Sequence, residues 1–358
     1  MKYLNLFAVS ATFATICVPI ATAHESDGGN VTYATDHAPI GVMADHRHNR
    51  GEWMVSYRYM NMQMEGIRNG DDSLSDPDIL ATPNRFAPPA NLRVVPLDMT
   101  MQMHMVGAMY GLSDRVTLMA MGMYTSNDMD HRTYQGMMGS TELGEFTTET
   151  SGIGDTTIGA IIGLDDGMRP HDQLNLSLAL SLPTGSIEET DQILTPMGTT
   201  PSPRLPYAMQ LGSGTYDLKP SPTMRKRVGQ ISLGGQIAAT VRLDDNDSGY
   251  TLGDIYEVTA WATYEFTPSV SLSGRLKAST KGEIDGMDAN IMAPVQTADP
   301  SNYGGDEVTA LLGINLAGQG SLKGHRLAAE IGLPLYRDLN GPQLETDLTF
   351  TLGWQKAF

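Results

Sequence analysis

Cysteine is almost absent: the 358-residue chain has one, Cys17. It lies in an N-terminal stretch that reads as a cleaved export signal, so the mature chain is expected to carry no thiol. That excludes a disulfide scaffold and a thiolate zinc site. Charge is sparse at 18%, and positive charge sparser, with 23 Lys and Arg against 41 Asp and Glu and a net charge of −18. A phosphate backbone would repel such a chain, so nucleic acid is excluded as a partner. Beyond the leader no apolar run reaches the ~18 residues that a membrane helix needs, which excludes a helical membrane protein. G-x-S-x-G, H-E-x-x-H and phosphate-loop patterns are missing too, and an enzyme is not expected.

What is present begins with an address. In residues 1–23, Lys2 supplies the positive start, Leu4 to Ile20 the apolar stretch, and Ala21-Thr22-Ala23 an A-x-A cleavage site. Ile16 stands before Cys17 where a lipoprotein signal needs a small residue. Residues 24–50 are polar and rich in His and Asp, with Ala34, Ala38, Pro39, Ile40, Val42 and Met43 to bury. A periplasmic extension or a plug-like segment is expected there, and residues 51–358 should form the main body.

That body alternates with the strand period of two. Val116, Leu118, Ala120, Gly122 and Tyr124 oppose Thr117, Met119, Met121 and Met123; Val258, Ala260, Ala262, Tyr264 and Phe266 oppose Thr259, Trp261, Thr263 and Glu265. Frequent Gly, Thr and Ser argue against helices. About twelve strands are expected, near 51–64, 98–111, 115–125, 153–164, 172–183, 206–218, 229–243, 252–266, 269–282, 305–317, 324–336 and 344–357. Long connections (65–97, 126–152, 184–205, 283–304) alternate with tight ones such as Leu112-Ser113-Asp114 and Thr267-Pro268. Long loops on one rim and short turns on the other indicate an all-β, antiparallel transmembrane barrel with long extracellular loops and short periplasmic turns. A strand of ~9–11 residues crosses a bilayer, and closure satisfies every backbone group, as lipid requires. The final strand ends Leu352-Gly353-Trp354-Gln355-Lys356-Ala357-Phe358, similar to the terminal signal read by the barrel-assembly machinery of Gram-negative bacteria. Outer-membrane lipid and that machinery are therefore expected partners, and the outer membrane the location.

Three stretches in the middle belong together: Ser151-Gly152-Ile153-Gly154-Asp155, Ser181-Leu182-Pro183-Thr184-Gly185-Ser186 and Gly212-Ser213-Gly214-Thr215-Tyr216-Asp217. A Gly-x-Gly-Asp strand opening, a Leu-Pro-Thr-Gly exit and a Gly-Ser-Gly…Asp strand resemble the outer-membrane transporters of the "MetA-pathway of phenol degradation" family, relatives of the long-chain fatty acid channels. The resemblance spans roughly residues 150–358. It implies a barrel passing small, often hydrophobic molecules by diffusion, and carries over no catalytic residue. Asp155 and Asp217 must face the lumen or a rim, because a charge facing lipid is costly. There they either bond to backbone and basic groups or meet solute.

The methionine count, 23, is the distinctive excess, and sixteen of these lie between Met43 and Met138. Met60, Met62 and Met64; Met99, Met101, Met103 and Met105; and Met119, Met121 and Met123 each recur at every second residue, which stacks them on one strand face. With Arg58 they are candidates to line the lumen. Two readings are open. Methionine fills irregular gaps and suits hydrophobic solutes of varied shape. Thioether with imidazole also suits Cu(I), and His37, Met43, His46, His48, His104 and His131 stand nearby as candidate ligands. No fixed metal-site spacing is matched and no cofactor is otherwise implied. The expected function is passive passage of small, hydrophobic or aromatic solutes through an outer-membrane barrel. A copper-handling barrel is the alternative, and a membrane hydrolase a minor one.

Overall fold

The computed structural model describes residues 31–165 and 172–358, so the expected leader at 1–23 lies outside the described residues. The wall strands are β1 Trp53–Gly70, β2 Val94–Ser113, β3 Val116–Tyr134, β4 Glu142–Ile153, β5 Thr156–Gly163, β6 Gln173–Leu182, β7 Asp217–Val228, β8 Ile231–Arg242, β9 Ile255–Thr267, β10 Val270–Lys281, β11 Gly305–Ala317 and β12 His325–Ala357. All pairs of wall strands are antiparallel, and the order around the sheet follows the chain except that β4 and β5 both pair with successive parts of β3. The last strand closes it: Met54 stands opposite Ala357 and Tyr57 opposite Trp354. β12 is 33 residues long and doubles back near Gly341, which sits at φ 69°. Its first arm pairs with β11 from Arg326 to Leu339, and its second with β1 from Gln343 to Ala357. Arg326 Nη1 donates to Gln355 Oε1 at 2.8 Å across the two arms. The chain thus crosses the wall about twelve times, as the alternation indicates, although the loop expected at 337–343 is strand for most of its length.

The faces of the strands decide the environment. On β9, Val258, Tyr264 and Phe266 point out and are exposed, while Thr259, Trp261, Thr263 and Glu265 point in and are buried. The last arm repeats the pattern, with Leu352 and Trp354 outside and Thr351 and Gln355 inside. Apolar outside and polar inside inverts a soluble protein, and is what a lipid-embedded barrel requires. Inside, Arg275 of β10 reaches Glu330 of β12 at 2.6 and 2.9 Å.

Three expectations are corrected. Residues 126–152 are not one long loop, because β3 runs on to Tyr134 and β4 returns from Glu142, in register from Thr133 opposite Gly144 as far as Tyr124 opposite Ile153. The strand expected at 206–218 is instead β7, starting at Asp217, and residues 206–216 are a loop. Pro220 and Pro222 of β7 hide it from a sequence reading. They pair with β6, opposite Leu178 and Leu176, while the ladder to β8 skips from Leu218 to Thr223 without a change of register. A proline has no N–H to give, and two prolines two residues apart withhold it toward the same neighbour. Strand 1 also runs on past 64 to Gly70.

The outward apolar face yields the first test. Leu276, 55% exposed in the middle of β10, should be replaceable by Arg at little cost in a water-soluble protein. In this barrel Leu276→Arg is expected to destabilise folding into vesicles by about 2–4 kcal/mol. Urea unfolding in lipid, followed by tryptophan fluorescence, measures it.

Candidate functional site

The methionines share one inner wall. β1, β2 and β3 lie side by side in a register that sets Met60 opposite Met103, Met62 opposite Met101 and Met64 opposite Met99. Across the next pair Met99 faces Met129, Met105 faces Met123 and Met109 faces Met119. Met54 faces Met109, which continues the row toward the periplasmic rim. Val106, Leu118 and Tyr124, on the other faces of β2 and β3, are exposed to lipid. Toward the outer rim Met99 and Met129 are buried against Leu205 and Met209 from the loop between β6 and β7. Met121 lines an inner cavity of about 40 Å³ with Met54, Met105, Met109, Met119 and Arg58, closed on the other side by Met43 and His46.

Arg58 is therefore brought to the methionine wall, as its spacing on β1 indicates. Asp155 and Asp217 are placed elsewhere. Asp155, in the two-residue break between β4 and β5, takes the Gly185 N–H at 3.0 Å, the Ser213 N–H at 2.9 Å and the Ser213 hydroxyl at 2.7 Å. Asp217 takes the Thr215 hydroxyl at 2.6 Å and pairs with Arg242 of β8. Thr184 donates to the Gly154 carbonyl at 2.8 Å. The three glycine-rich stretches thus form one clasp. Gly185 and Gly212 touch there, and a Cβ on Gly185 would stand 2.7 Å from the Gly212 Cα. Every hydrogen bond described for the Asp155 carboxylate runs to this clasp.

Residues 32–50 lie inside the barrel near its periplasmic end. Ala38 and Val42 pack on the inward Trp261 of β9. Main-chain groups fasten the rest: Ala34 N–H to the Pro268 carbonyl at 2.7 Å, Gln236 Nε2 to the Met43 carbonyl at 2.8 Å, and His48 N–H to the Thr117 hydroxyl at 2.9 Å. Arg47 Nη2 donates to both carboxylate oxygens of Asp165, at 2.7 and 2.8 Å. Three of the sequence's candidate metal ligands meet here. The rings of His37 and His46 are 4.4 Å apart and those of His46 and His48 are 4.9 Å apart. Burial pushes the His37 imidazole well below its ordinary range, with help from His46 and the Arg326 guanidinium. Burial also lowers His48, against the opposing pull of its Glu52 partner. Met43 lines the methionine cavity beside His46. His104 is on the outward face, 2.8 Å from the Tyr57 hydroxyl. His131 sits at the outer end of β3, stacked on Phe146 at 4.7 Å. The candidate histidines therefore divide into a plug cluster and two separate sites.

The outer end is lidded. Tyr207, Tyr250 and Tyr303 pack with Ile284, Ile291 and Val295 into a core built by the loops after β6, β8 and β10. Beside it lies a cavity of about 330 Å³ lined by Pro88, Pro89, Pro196, Met197, Pro201 and Met292 among others. At the periplasmic end a second cavity of about 580 Å³ is lined by His37, His46, His48, Arg225, Arg326 and the chain's last residues. Sequence reading missed the lid tyrosines, because they come from three loops with no shared period. It also missed Asp45, whose carboxylate receives the Ala38 N–H at 2.8 Å and holds His46. Its place directly before His46-Arg47-His48 was the available signal.

The clasp makes a measurable claim. Asp155→Ala leaves the Gly185 and Ser213 N–H groups without their acceptor, each costly to strand, while the Ser213 hydroxyl keeps the Thr215 carbonyl at 3.2 Å. The barrel is expected to lose about 2–3 kcal/mol in urea unfolding. Asp155→Asn, which keeps part of the acceptor set, is expected to lose less.

Among solved structures the chain is similar over 88% of its length to an outer membrane channel from Pseudomonas putida F1, of which 99% is covered, at 16% identity and a TM-score of 0.56. A FadL homologue from Pseudomonas aeruginosa aligns with 86% of this chain and 89% of its own, at 10% identity and a TM-score of 0.42. A deletion mutant of the TodX monoaromatic hydrocarbon channel aligns with 87% and 91%, at 11% identity and 0.46. The first likeness supports the fold of an outer-membrane barrel. No curated protein matches in sequence. The resemblance carried by the three glycine-rich stretches is borne out, because residues 126–302, which contain all three, match the family described as "Putative MetA-pathway of phenol degradation".

Proposed function

We propose that this barrel sits in the outer membrane as a passive channel for small hydrophobic or aromatic solutes and performs no chemistry on them. The observation that carries this reading is the methionine wall, in which thioethers of three adjacent strands face one another across the register. A barrel interior is ordinarily polar. Here an unbranched, polarizable surface replaces polar groups, and it adapts to apolar guests of different shape and meets aromatic rings favourably. The likeness to an outer membrane channel and to a family named for phenol degradation supports the same direction.

The route suggested by the cavities runs from the outer proline-lined cavity, along the methionine face, to the periplasmic cavity. The outer one, at about 330 Å³, has the size of a small-ligand site. The inner one, at about 40 Å³, has room for little more than water. Solute therefore has to displace part of the segment 32–50. Polar bonds to the wall hold that segment, among them Gly41 N–H to Glu330 at 3.1 Å and Asn175 Nδ2 to the Asp45 carbonyl at 3.2 Å. Such contacts can be exchanged for water as the segment shifts. A hydrolase has less support: His104 bonds to Tyr57 and His325 to Trp354, not to a serine.

The test uses whole cells, since the lipopolysaccharide leaflet slows free entry of apolar compounds. Porin-poor cells expressing the protein should take up radiolabelled phenol or toluene several times faster than cells with an empty vector. Met103→Glu or Met60→Glu puts a charge on the wall and should cut the gain at least tenfold, with the barrel still heat-modifiable on gels. Uptake no faster than the empty vector would remove the channel reading.

A further inference from the structure

One buried side-chain cluster is left unexplained by the wall contacts and by the passage described above. The ligating atoms of His37, Asp45 and His46 all lie within 4.8 Å of one another. His46 Nδ1 is 2.7 Å from Asp45 Oδ1, and His48 Nδ1 is 3.1 Å from Glu52 Oε1. An ionised carboxylate only accepts, so each imidazole keeps its proton on Nδ1 and turns the Nε2 lone pair the other way. Both Nε2 atoms are buried without a hydrogen-bond partner, and so is Nδ1 of His37. His46 and His48 are 5% and 3% exposed. Three buried ring nitrogens in neighbouring side chains lack a partner, which is costly; His37 and His46 belong to the one ligating group, and His48 adjoins it with its ring 4.9 Å from that of His46.

The surroundings suit a cation. A carboxylate behind a histidine fixes the ring and raises its basicity toward a metal. Asp45 and Glu52 provide this for two of the three rings, and their charges offset that of an ion. Asp45 is itself held by the Ala38 N–H at 2.8 Å. Arg326 and Arg225 also act on His37, and their charges oppose that of an ion, which Asp45 and Glu52 have to outweigh; the Arg326 guanidinium is held by the neutral groups of Asn315 at 3.2 Å, Gln355 at 2.8 Å and the Ala38 carbonyl. The cluster lines the cavity of about 580 Å³ at the periplasmic end, which gives an ion its way in. Imidazole donors select zinc, copper and their neighbours, whereas thioethers select Cu(I). Met43, the nearest thioether in sequence, lines the methionine cavity on the far side of His46.

We propose that His37, His46 and His48 form a binding site for one divalent late first-row cation, Cu²⁺ or Zn²⁺, with Asp45 and Glu52 orienting the imidazoles. All three ligands belong to the internal segment, so the ion ties its beginning to its end. The site lies in the segment that solute has to shift and lines the periplasmic cavity at the end of the route, but ion binding is read without solute and so does not depend on the channel reading.

The untagged full chain, purified in detergent and stripped with chelator, is titrated with CuCl₂ and ZnCl₂ by calorimetry, and the Cu²⁺ form is examined by electron paramagnetic resonance. One ion per chain and a spectrum split by at least two nitrogens are expected. His37→Ala and His46→Ala should each weaken binding at least tenfold, and Asp45→Asn about 10–100-fold. His104→Ala, on the outward face, should bind as the native chain does. Heat-modifiability on gels confirms that each variant is closed, and His46→Gln replaces any alanine variant that is not. No saturable binding by the native chain, a Cu²⁺ spectrum without nitrogen splitting, or equal affinity in folded His46 variants would overturn the site.

Discussion

The interaction on which everything else rests is the closed ring of backbone hydrogen bonds. Lipid offers no partner to a peptide group, so a wall of strands is viable only if its last strand meets its first. Here the second arm of β12 meets β1 along its length, from Met54 opposite Ala357 to Arg68 opposite Gln343. Closure leaves each residue only two directions, outward to lipid or inward to the lumen. Side-chain chemistry then sorts itself: leucines and aromatics out, threonine, asparagine and arginine in. The places where closure is weakest are reinforced. β4 pairs only with β3 in the wall, and the clasp around Asp155 joins the break beneath it to the loop after β6.

An inward face that is polar by default makes its exceptions informative. Methionine occupies the lumen side of three neighbouring strands, a region that could have held threonine as the rest of the wall does. The internal segment 32–50 then has to serve two surfaces. Toward the wall it presents main-chain groups to Gln236, Asn175 and Thr117. Between its own ends it gathers three imidazoles and a carboxylate. His46 faces both the methionine cavity and the periplasmic one, so it stands at the boundary between the apolar and the polar halves of the interior.

How legible this was depended on the kind of signal. Alternation over ten residues is local and survives in the sequence, so the inward faces of β1 and β3 were readable from Met60, Met62, Met119 and Met121 directly. β2 is harder to read, since His104 and Gln102 share the face of Val106, Ala108 and Tyr110. The structure resolves this by bonding His104 to the Tyr57 hydroxyl across the strand pair, which shields a polar ring that a single strand leaves unexplained. β7 was misplaced because Pro220 and Pro222 break the local pattern, and their tolerance depends on which neighbour goes without a hydrogen bond. β4 reads as loop, since Glu142 to Thr150 is too polar to read as a membrane strand.

By itself the sequence determined the class of fold, the sidedness of the strands and the methionine excess on the first three, because each follows from the period of two along a single strand. It also marked the glycine-rich stretches, whose small residues and acids announce a close approach without naming the partner. Only the tertiary structure decided which side chains meet. It joined the three stretches through Asp155, separated His104 and His131 from the other histidines, and brought His37 against His46. Those choices rest on contacts between segments distant in the chain or folded back on themselves inside the barrel, and a pattern of hydrophobicity along one strand holds no record of what stands across the lumen.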